Sequence, residues 1–397
     1  MLKYLLPLIL LFSVQMTLAQ IPERIKQPQG PKEMEDFFVS NLAALQNHKQ
    51  KDAVKKLNFG RFAQPLQDFP REIRDFVNVE TLGITGPIAF QNMSQQLIHL
   101  SNLKNLHLDH VDFKLVADNV AKIKNLEELR IGTYTDVSKP KDLGNLKALK
   151  RLTISRLNNV NGEDLNHQSL VFPVKLTTLT NLKELRLFYY LNELPPGIGK
   201  LQDLEVLSAR RNRLQSLPAE IIHLQNLKFL LLEENRLQTL PVDVYRLKNL
   251  ENLYLDQNDL VSIPAGIGSL TNLKNFSIAR NKISNNEFKK VFELKNLEEL
   301  AAGNNEISDL QGIEKLQNLK VLYLDNNQLE SDDLTGLYNL PNLEKLHLKD
   351  NRISHFPKGL EKLKNLKELW IKGNPIPNSE LIRIRKLLPG TLINSDY

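Results

Sequence analysis

The chain repeats one spacing of apolar residues along most of its length. A leucine or similar residue is followed by another three positions on, by a third two positions after that, and usually by an asparagine three positions later. The clearest copy runs through Leu204, Leu207, Ala209 and Asn212. The asparagine then returns every 22 to 24 residues, at Asn235, Asn258, Asn281, Asn305, Asn327, Asn351 and Asn374. A fixed period of this length predicts a solenoid whose units pack only on their neighbours.

The pattern L-x-x-L-x-L-x-x-N resembles the leucine-rich repeat family, over residues 53–394 and most regularly from Leu204 onward. The resemblance implies an α/β fold: a curved, right-handed solenoid with a concave parallel sheet and an irregular or short-helical convex side. About fourteen repeats are expected over residues 53–374. In the family the asparagine side chain is buried and binds neighbouring backbone turns. Earlier repeats carry other residues in that place: Phe62, Pro87, Val111, Tyr134, Leu157 and Tyr190.

Both ends of the repeat array need a covering element for their core. Residues 20–52 are expected to form a flexible start followed by an amphipathic helix over residues 32–50, which would act as the N-terminal cap. Residues 375–397 are expected to form the C-terminal cap. There, a helix from Ser379 to Leu388 precedes Leu392 and Ile393, which could pair with the last strand.

Residues 1–19 have the pattern of a cleaved secretory signal peptide. Lys3 supplies the positive charge, an apolar stretch runs from Leu5 to Val14, and Ala19 ends a small-residue cleavage site. The alternative is a membrane anchor, but the apolar run is short for a bilayer and polar residues follow it. The chain has no cysteine, which excludes disulfides and thiol catalysis. These features favour a bacterial secreted or periplasmic protein.

Charge and motifs narrow the possible functions. The net charge is +6 and the charges are interspersed, so no basic stripe suggests nucleic acid as a partner. His107 and Asp109 share one strand face, but Arg130 and Gly132 stand on the next strand, so a third metal ligand is missing. Phosphate-binding loops, nucleophile elbows and metalloprotease helices are also missing from the sequence. We therefore expect no enzyme activity, no cofactor and no metal.

The residues between the leucines of each strand should face the concave side. From Leu185 to Leu255 these positions hold aromatic, aliphatic and arginine side chains, which are the usual anchors of protein interfaces. A second group lies toward the C-terminus. The predicted partner-binding residues are Arg186, Phe188, Arg210, Phe229, Leu231, Glu233, Tyr254, Asp256, Tyr323 and Trp370. The alternative is that these side chains only pack on adjacent strands.

The preferred interpretation is a non-enzymatic scaffold that recognises a protein or peptide through its concave face. One alternative is a carbohydrate- or cell-wall-binding protein, in which Tyr254, Tyr323 and Trp370 would stack on sugar rings. Another is a host-directed adhesin, similar in outline to the bacterial internalins. An insertion around residues 158–175 lengthens one repeat by about ten residues; it is either a tolerated convex loop or a part of the binding face.

Overall fold

The computed structural model describes residues 35–39, 42–60, 69–88, 93–111, 120–133, 143–156, 171–188 and 190–396. These residues form a curved solenoid around one open sheet of sixteen strands, which lie side by side in chain order. Strands β2 to β16 are parallel. The strands are β1 Glu35–Val39, β2 Val54–Phe59, β3 Thr81–Ile88, β4 Asn105–Val111, β5 Glu128–Thr133, β6 Arg151–Arg156, β7 Glu184–Phe188, β8 Val206–Ser208, β9 Phe229–Leu231, β10 Asn252–Tyr254, β11 Asn275–Ser277, β12 Glu299–Ala301, β13 Val321–Tyr323, β14 Lys345–His347, β15 Glu368–Trp370 and β16 Leu392–Asn394.

Short helical segments return the chain to the start of the next strand. The α-helices are α1 Leu42–Asn47, α2 Met93–Leu97, α3 Asn285–Phe288 and α4 Asn378–Leu387. The 3₁₀ segments are Lys51–Ala53, Arg71–Asp75, Leu143–Asn145, Val174–Thr178, Pro196–Lys200, Ala219–His223, Val242–Arg246, Ile267–Ser269, Lys289–Glu293, Ile313–Lys315, Ser331–Asn339 and Leu360–Lys362. In the part of the chain that the structure describes, no helix is long and apolar enough to cross a membrane.

The first element differs from the sequence prediction. A helix was expected over residues 32–50, but Glu35–Val39 is a strand and α1 begins only at Leu42. Phe38 is 63% exposed while Val39 is buried, so the side chains alternate as they do in a strand. The open edge of β2 offers hydrogen-bonding groups that a strand can satisfy and a helix cannot. The prediction of one continuous helix is therefore wrong.

The C-terminal elements match the prediction. Helix α4 buries Leu381 and Ile384, and β16 pairs with β15 in parallel register. The assignment of the two chain ends as caps stays a prediction. The signal peptide, residues 1–19, and most of the insertion, residues 157–170, lie outside the described residues.

The core is a continuous strip of apolar side chains beneath the sheet. In the repeat that contains β10, Leu250, Leu253 and Leu255 have no exposed surface. The corresponding positions of the other repeats join them in one cluster that runs from Val39 to Leu388. Each repeat therefore gains its core only by stacking on its neighbours, as expected for a solenoid.

The repeated asparagines form a buried ladder that links consecutive turns. The Nδ2 of Asn258 donates to the carbonyl oxygens of Leu255 and of Leu232, each at 3.0 Å, and its Oδ1 accepts from the backbone N–H of Leu237 at 3.0 Å. One side chain thus satisfies three buried backbone groups in two repeats. All the repeated asparagines are buried and bind in the same way: Asn212, Asn235, Asn258, Asn281, Asn305, Asn327, Asn351 and Asn374.

A second asparagine ladder runs along the exposed turns that precede the strands. Asn249 Nδ2 donates to the carbonyl oxygen of Gln225 at 2.8 Å, one repeat earlier. This ladder continues through the N-terminal repeats, where the first ladder is missing, with Ala148 and Asp203 as interruptions. Its members are Asn78, Asn102, Asn125, Asn181, Asn226, Asn249, Asn272, Asn296, Asn318, Asn342 and Asn365.

Replacing an asparagine by alanine should cost more stability in the buried ladder than in the exposed one. Asn258→Ala leaves buried N–H and C=O groups without partners, so we expect a loss of about 2–5 kcal/mol in the free energy of unfolding. Asn249→Ala exposes its partner carbonyl to water, so the loss should stay below about 1 kcal/mol. Urea denaturation of both variants measures the difference. Equal losses would show that the buried ladder does not carry the greater share of the stability.

Candidate functional site

The concave face consists of three rows of side chains. In β10 and the turn after it, Asn252, Tyr254 and Asp256 face the concave side, while Leu253 and Leu255 face the core. Parallel pairing places the residues of one row side by side on neighbouring strands, about 4.8 Å apart. Each row therefore forms a line along the inner surface of the solenoid.

The predicted partner-binding residues between Arg186 and Asp256 do lie together. Register places Arg186, Ser208, Leu231 and Tyr254 in the central row on four adjacent strands. Phe229 lies beside Val206 and Asn252 in the next row. Phe188, Arg210, Glu233 and Asp256 hold equivalent positions in the third row. These residues therefore share one face of the sheet, and their role in binding a partner stays a prediction.

Exposure within this surface is less than the alternation suggested. Leu231 is 3% exposed, Glu233 5% and Arg210 8%, so the expectation that alternation exposes them is wrong. Alternation fixes the direction of a side chain, but its surroundings on the sheet decide how much of it stays exposed. Phe188, Phe229 and Tyr254 remain partly exposed, as does Arg186, which forms an ion pair with Glu184. These are the groups that a partner could reach.

The second predicted group, toward the C-terminus, forms a line of rings. Tyr323 and His347 have ring centroids 4.6 Å apart, and His347 stacks on Trp370 at 5.0 Å with an interplanar angle of 13°. Lys349 Nζ lies 4.1 Å from the centroid of Trp370. His347 is buried, and this burial, with the nearby positive charge of Lys349, lowers its pKa to about 4. The line therefore carries a neutral imidazole at its centre.

The N-terminal half of the concave face holds a charge network that the sequence analysis missed. The buried carboxylate of Glu128 receives hydrogen bonds from Arg130 at 2.7 Å and from Arg151 at 2.7 Å, and His107 Nε2 lies 3.1 Å from it. These contacts outweigh the effect of burial and lower the pKa of Glu128 to about 2. Glu128 lies in the same row as Phe229 and Asn252, and the same alternation would have placed it on the concave face. No group of three potential metal ligands occurs among the described residues.

The middle of the concave face is acidic. Burial raises the pKa of Glu233 to about 7 and that of Asp256 to about 6, and Asp325 is raised to about 6 in the same way. Asp256 Oδ1 accepts hydrogen bonds from Ser277 Oγ and, at 3.0 Å, from the backbone N–H of Ala279. Asp325 Oδ1 accepts the backbone N–H of Lys349 at 2.8 Å. These two aspartates therefore link neighbouring turns as well as carrying charge.

Substitution by glutamine should change the free energy of unfolding in opposite directions at Glu128 and Glu233. The lowered pKa of Glu128 stabilises the fold above pH 4.5, and this contribution is lost as the pH falls toward 2. The raised pKa of Glu233 destabilises the fold as the pH rises from 4.5 to 7. At pH 8, Glu128→Gln should cost about 1–3 kcal/mol, while Glu233→Gln should add a similar amount.

Urea denaturation at pH 8 and pH 4 measures both effects. The gain from Glu233→Gln should largely vanish at pH 4, where the wild-type carboxyl is mostly protonated in both the folded and the unfolded state. A loss of stability in Glu233→Gln at pH 8 would contradict the assignment of Glu233 as a carboxylate that is strained by burial.

A parallel sheet in chain order, a strip of leucines and a buried asparagine ladder define a leucine-rich solenoid. Two family sequence patterns match the chain: "Leucine-rich repeat region" over residues 198–306 and "Leucine rich repeat" over residues 317–376. The solved structure of the Leptospira interrogans LRR protein LIC12759 is 31% identical, with a TM-score of 0.61, and the match covers 90% of this chain and 100% of that chain. The chain belongs to the leucine-rich repeat family.

Two further solved structures share this fold at lower identity. An internalin (inlF) of Listeria monocytogenes is 24% identical, with a TM-score of 0.65, over 85% of this chain and 93% of that chain. The plant peptide hormone receptor RGFR1, solved in complex with RGF2, is 20% identical, with a TM-score of 0.52, over 92% of this chain and 69% of that chain. At such identities the likeness establishes the fold alone. No curated protein matches the chain.

Proposed function

We propose that this chain is an exported, non-enzymatic scaffold that binds a protein or peptide partner through its concave face. One observation carries the proposal: Arg186, Phe188, Phe229 and Tyr254 are partly exposed on strands β7, β9 and β10 of one face. Aromatic and arginine side chains that are grouped in this way are the usual anchors of protein interfaces. The fold also serves RGFR1, which was solved in complex with RGF2.

The ring geometry of Trp370 argues against its use as a stacking platform in the carbohydrate alternative. Sugars stack on the open faces of aromatic rings, but Trp370 lies parallel to His347 on the neighbouring strand. Its ring plane therefore faces along the sheet and its edge points into the concave space. Lys349 also lies over this ring. Nucleic acid is disfavoured as well, because phosphate groups would be repelled by Glu233, Asp256 and the other carboxylates at the centre of the face.

A capture experiment tests the proposed function. The mature chain is immobilised, incubated with extract of the native source, and the retained proteins are identified by mass spectrometry; affinity for the recovered partner is then measured directly. Phe188→Ala combined with Tyr254→Ala removes two anchors and should weaken binding at least thirtyfold, because each true anchor contributes about 2 kcal/mol or more.

The matched control lies on the convex side. Val242→Ala combined with Tyr245→Ala removes an exposed aliphatic and an aromatic side chain there, and should change the affinity less than twofold. If the convex pair weakens binding and the concave pair does not, the binding surface is on the other side of the solenoid.

Export makes a separate prediction. Cleavage after Ala19 would give a mature chain that starts at Gln20. N-terminal sequencing of the native protein from the extracytoplasmic fraction should find this start. A native protein that retains Met1 in the cytosol would contradict the proposed location and leave the binding face to be considered in another compartment.

A further inference from the structure

We propose that the centre of the concave face binds a lysine or arginine side chain of the partner between Tyr254 and Tyr323. This inference rests on the proposed function, because it assumes a polypeptide partner on the concave side. We call the region the acidic basin and define it as the concave residues of strands β9 to β13 together with the third-row residue that follows each strand.

The acidic basin has a low floor between two aromatic walls. Strands β11 and β12 contribute only small side chains to its middle: Ser277, Ala279, Ala301 and Gly303. Tyr254 stands on one side, and Tyr323 stands on the other, three strands away or about 14 Å along the sheet. A long, thin side chain fits such a gap, and the rings present surfaces with which a cation interacts favourably.

The charges of the acidic basin select a cation. Its three rows contain four carboxylates, those of Glu233, Asp256, Glu299 and Asp325, and neither lysine nor arginine. Cations stand only at its borders, with Arg210 on one side, Lys349 on the other, and the exposed Arg280 in the turn after β11. Charge complementarity therefore points to a basic group on the partner.

Glu299 lies on β12 beside Val321, in the row next to the one that contains the two tyrosines. Its negative charge adds to the effect of burial in raising the pKa of both phenols, and the pKa of Tyr323 reaches about 12. Its charge therefore acts where an entering side chain would end. A guanidinium or ammonium group there would meet a carboxylate and lie near one of the aromatic rings, an environment that stabilises these cations in protein interfaces.

A buried oxygen gives an independent sign that the acidic basin lacks a hydrogen-bond donor. Glu233 is 5% exposed, and its Oε2 finds no hydrogen-bond partner among the described residues. Asp256 Oδ2, in the turn after the next strand, is also buried and without a hydrogen-bond partner among the described residues. Buried carboxylate oxygens are usually paired. A metal ion is not the fitting occupant, since the described residues place no three potential ligands together.

The experiment uses a peptide library, because the native partner is unidentified. Random dodecapeptides displayed on phage are selected on the full-length mature chain, and the selected peptides are synthesised for affinity measurement. We expect each strong binder to contain a lysine or arginine whose replacement by glutamine weakens binding tenfold or more. Glu299→Gln should weaken the same peptides at least tenfold, and Ala301→Leu, which fills the floor, should weaken them further.

The control variant is Glu298→Gln on the same strand. Glu298 pairs with Lys320 at 2.6 Å outside the three concave rows, so its substitution should change affinity less than twofold. Unchanged melting temperatures would show that the variants fold. Peptides that lose binding with Phe188→Ala and Tyr254→Ala but tolerate Glu299→Gln would overturn the cation site and leave the proposed function standing. Peptides that tolerate all these changes, or a selection that returns no binder, would contradict both.

Discussion

This fold depends on hydrogen bonds that pair the backbone N–H and C=O groups of the turns after the strands. Each turn is buried against its neighbours, so its N–H and C=O groups cannot bind water. Asn258 and its equivalents solve this with one amide that donates to two repeats and accepts from the earlier one. The residue before each of these asparagines adopts a left-handed conformation, with φ of 55° at Gln257, which turns the chain out of the strand. With the turns fixed, the strands stack in register and the concave rows follow.

This register converts a repeated sequence into a patterned surface. The positions between the leucines are free of the core, so they can vary from repeat to repeat without loss of the fold. In this chain they vary in a graded way: a network around Glu128 lies near one end, arginine and aromatic side chains follow, and the carboxylates of the acidic basin precede the rings of Tyr323 and Trp370. The binding properties of the molecule therefore lie in single side chains placed on a constant scaffold.

Sequence reasoning succeeded where one local rule decides the structure. The spacing of Leu250, Leu253 and Leu255 is sufficient to predict burial, because each residue has the same neighbours in every repeat. It failed where neighbours on other strands determine how much of a side chain is exposed. Leu231 lies in the concave row as predicted, yet it is only 3% exposed. The strand Glu35–Val39 was missed because two consecutive phenylalanines hide the alternation that the edge of β2 imposes.

The central claim is that a partner occupies the concave face and covers the anchors beside the acidic basin. Hydroxyl-radical footprinting of the complex with the captured partner tests it directly, since radicals modify exposed aromatic rings. The account predicts that oxidation of Tyr254 and Tyr323 falls severalfold on binding while oxidation of the convex Tyr245 is unchanged. Protection of Tyr245 with unaltered oxidation of Tyr254 and Tyr323 would contradict it.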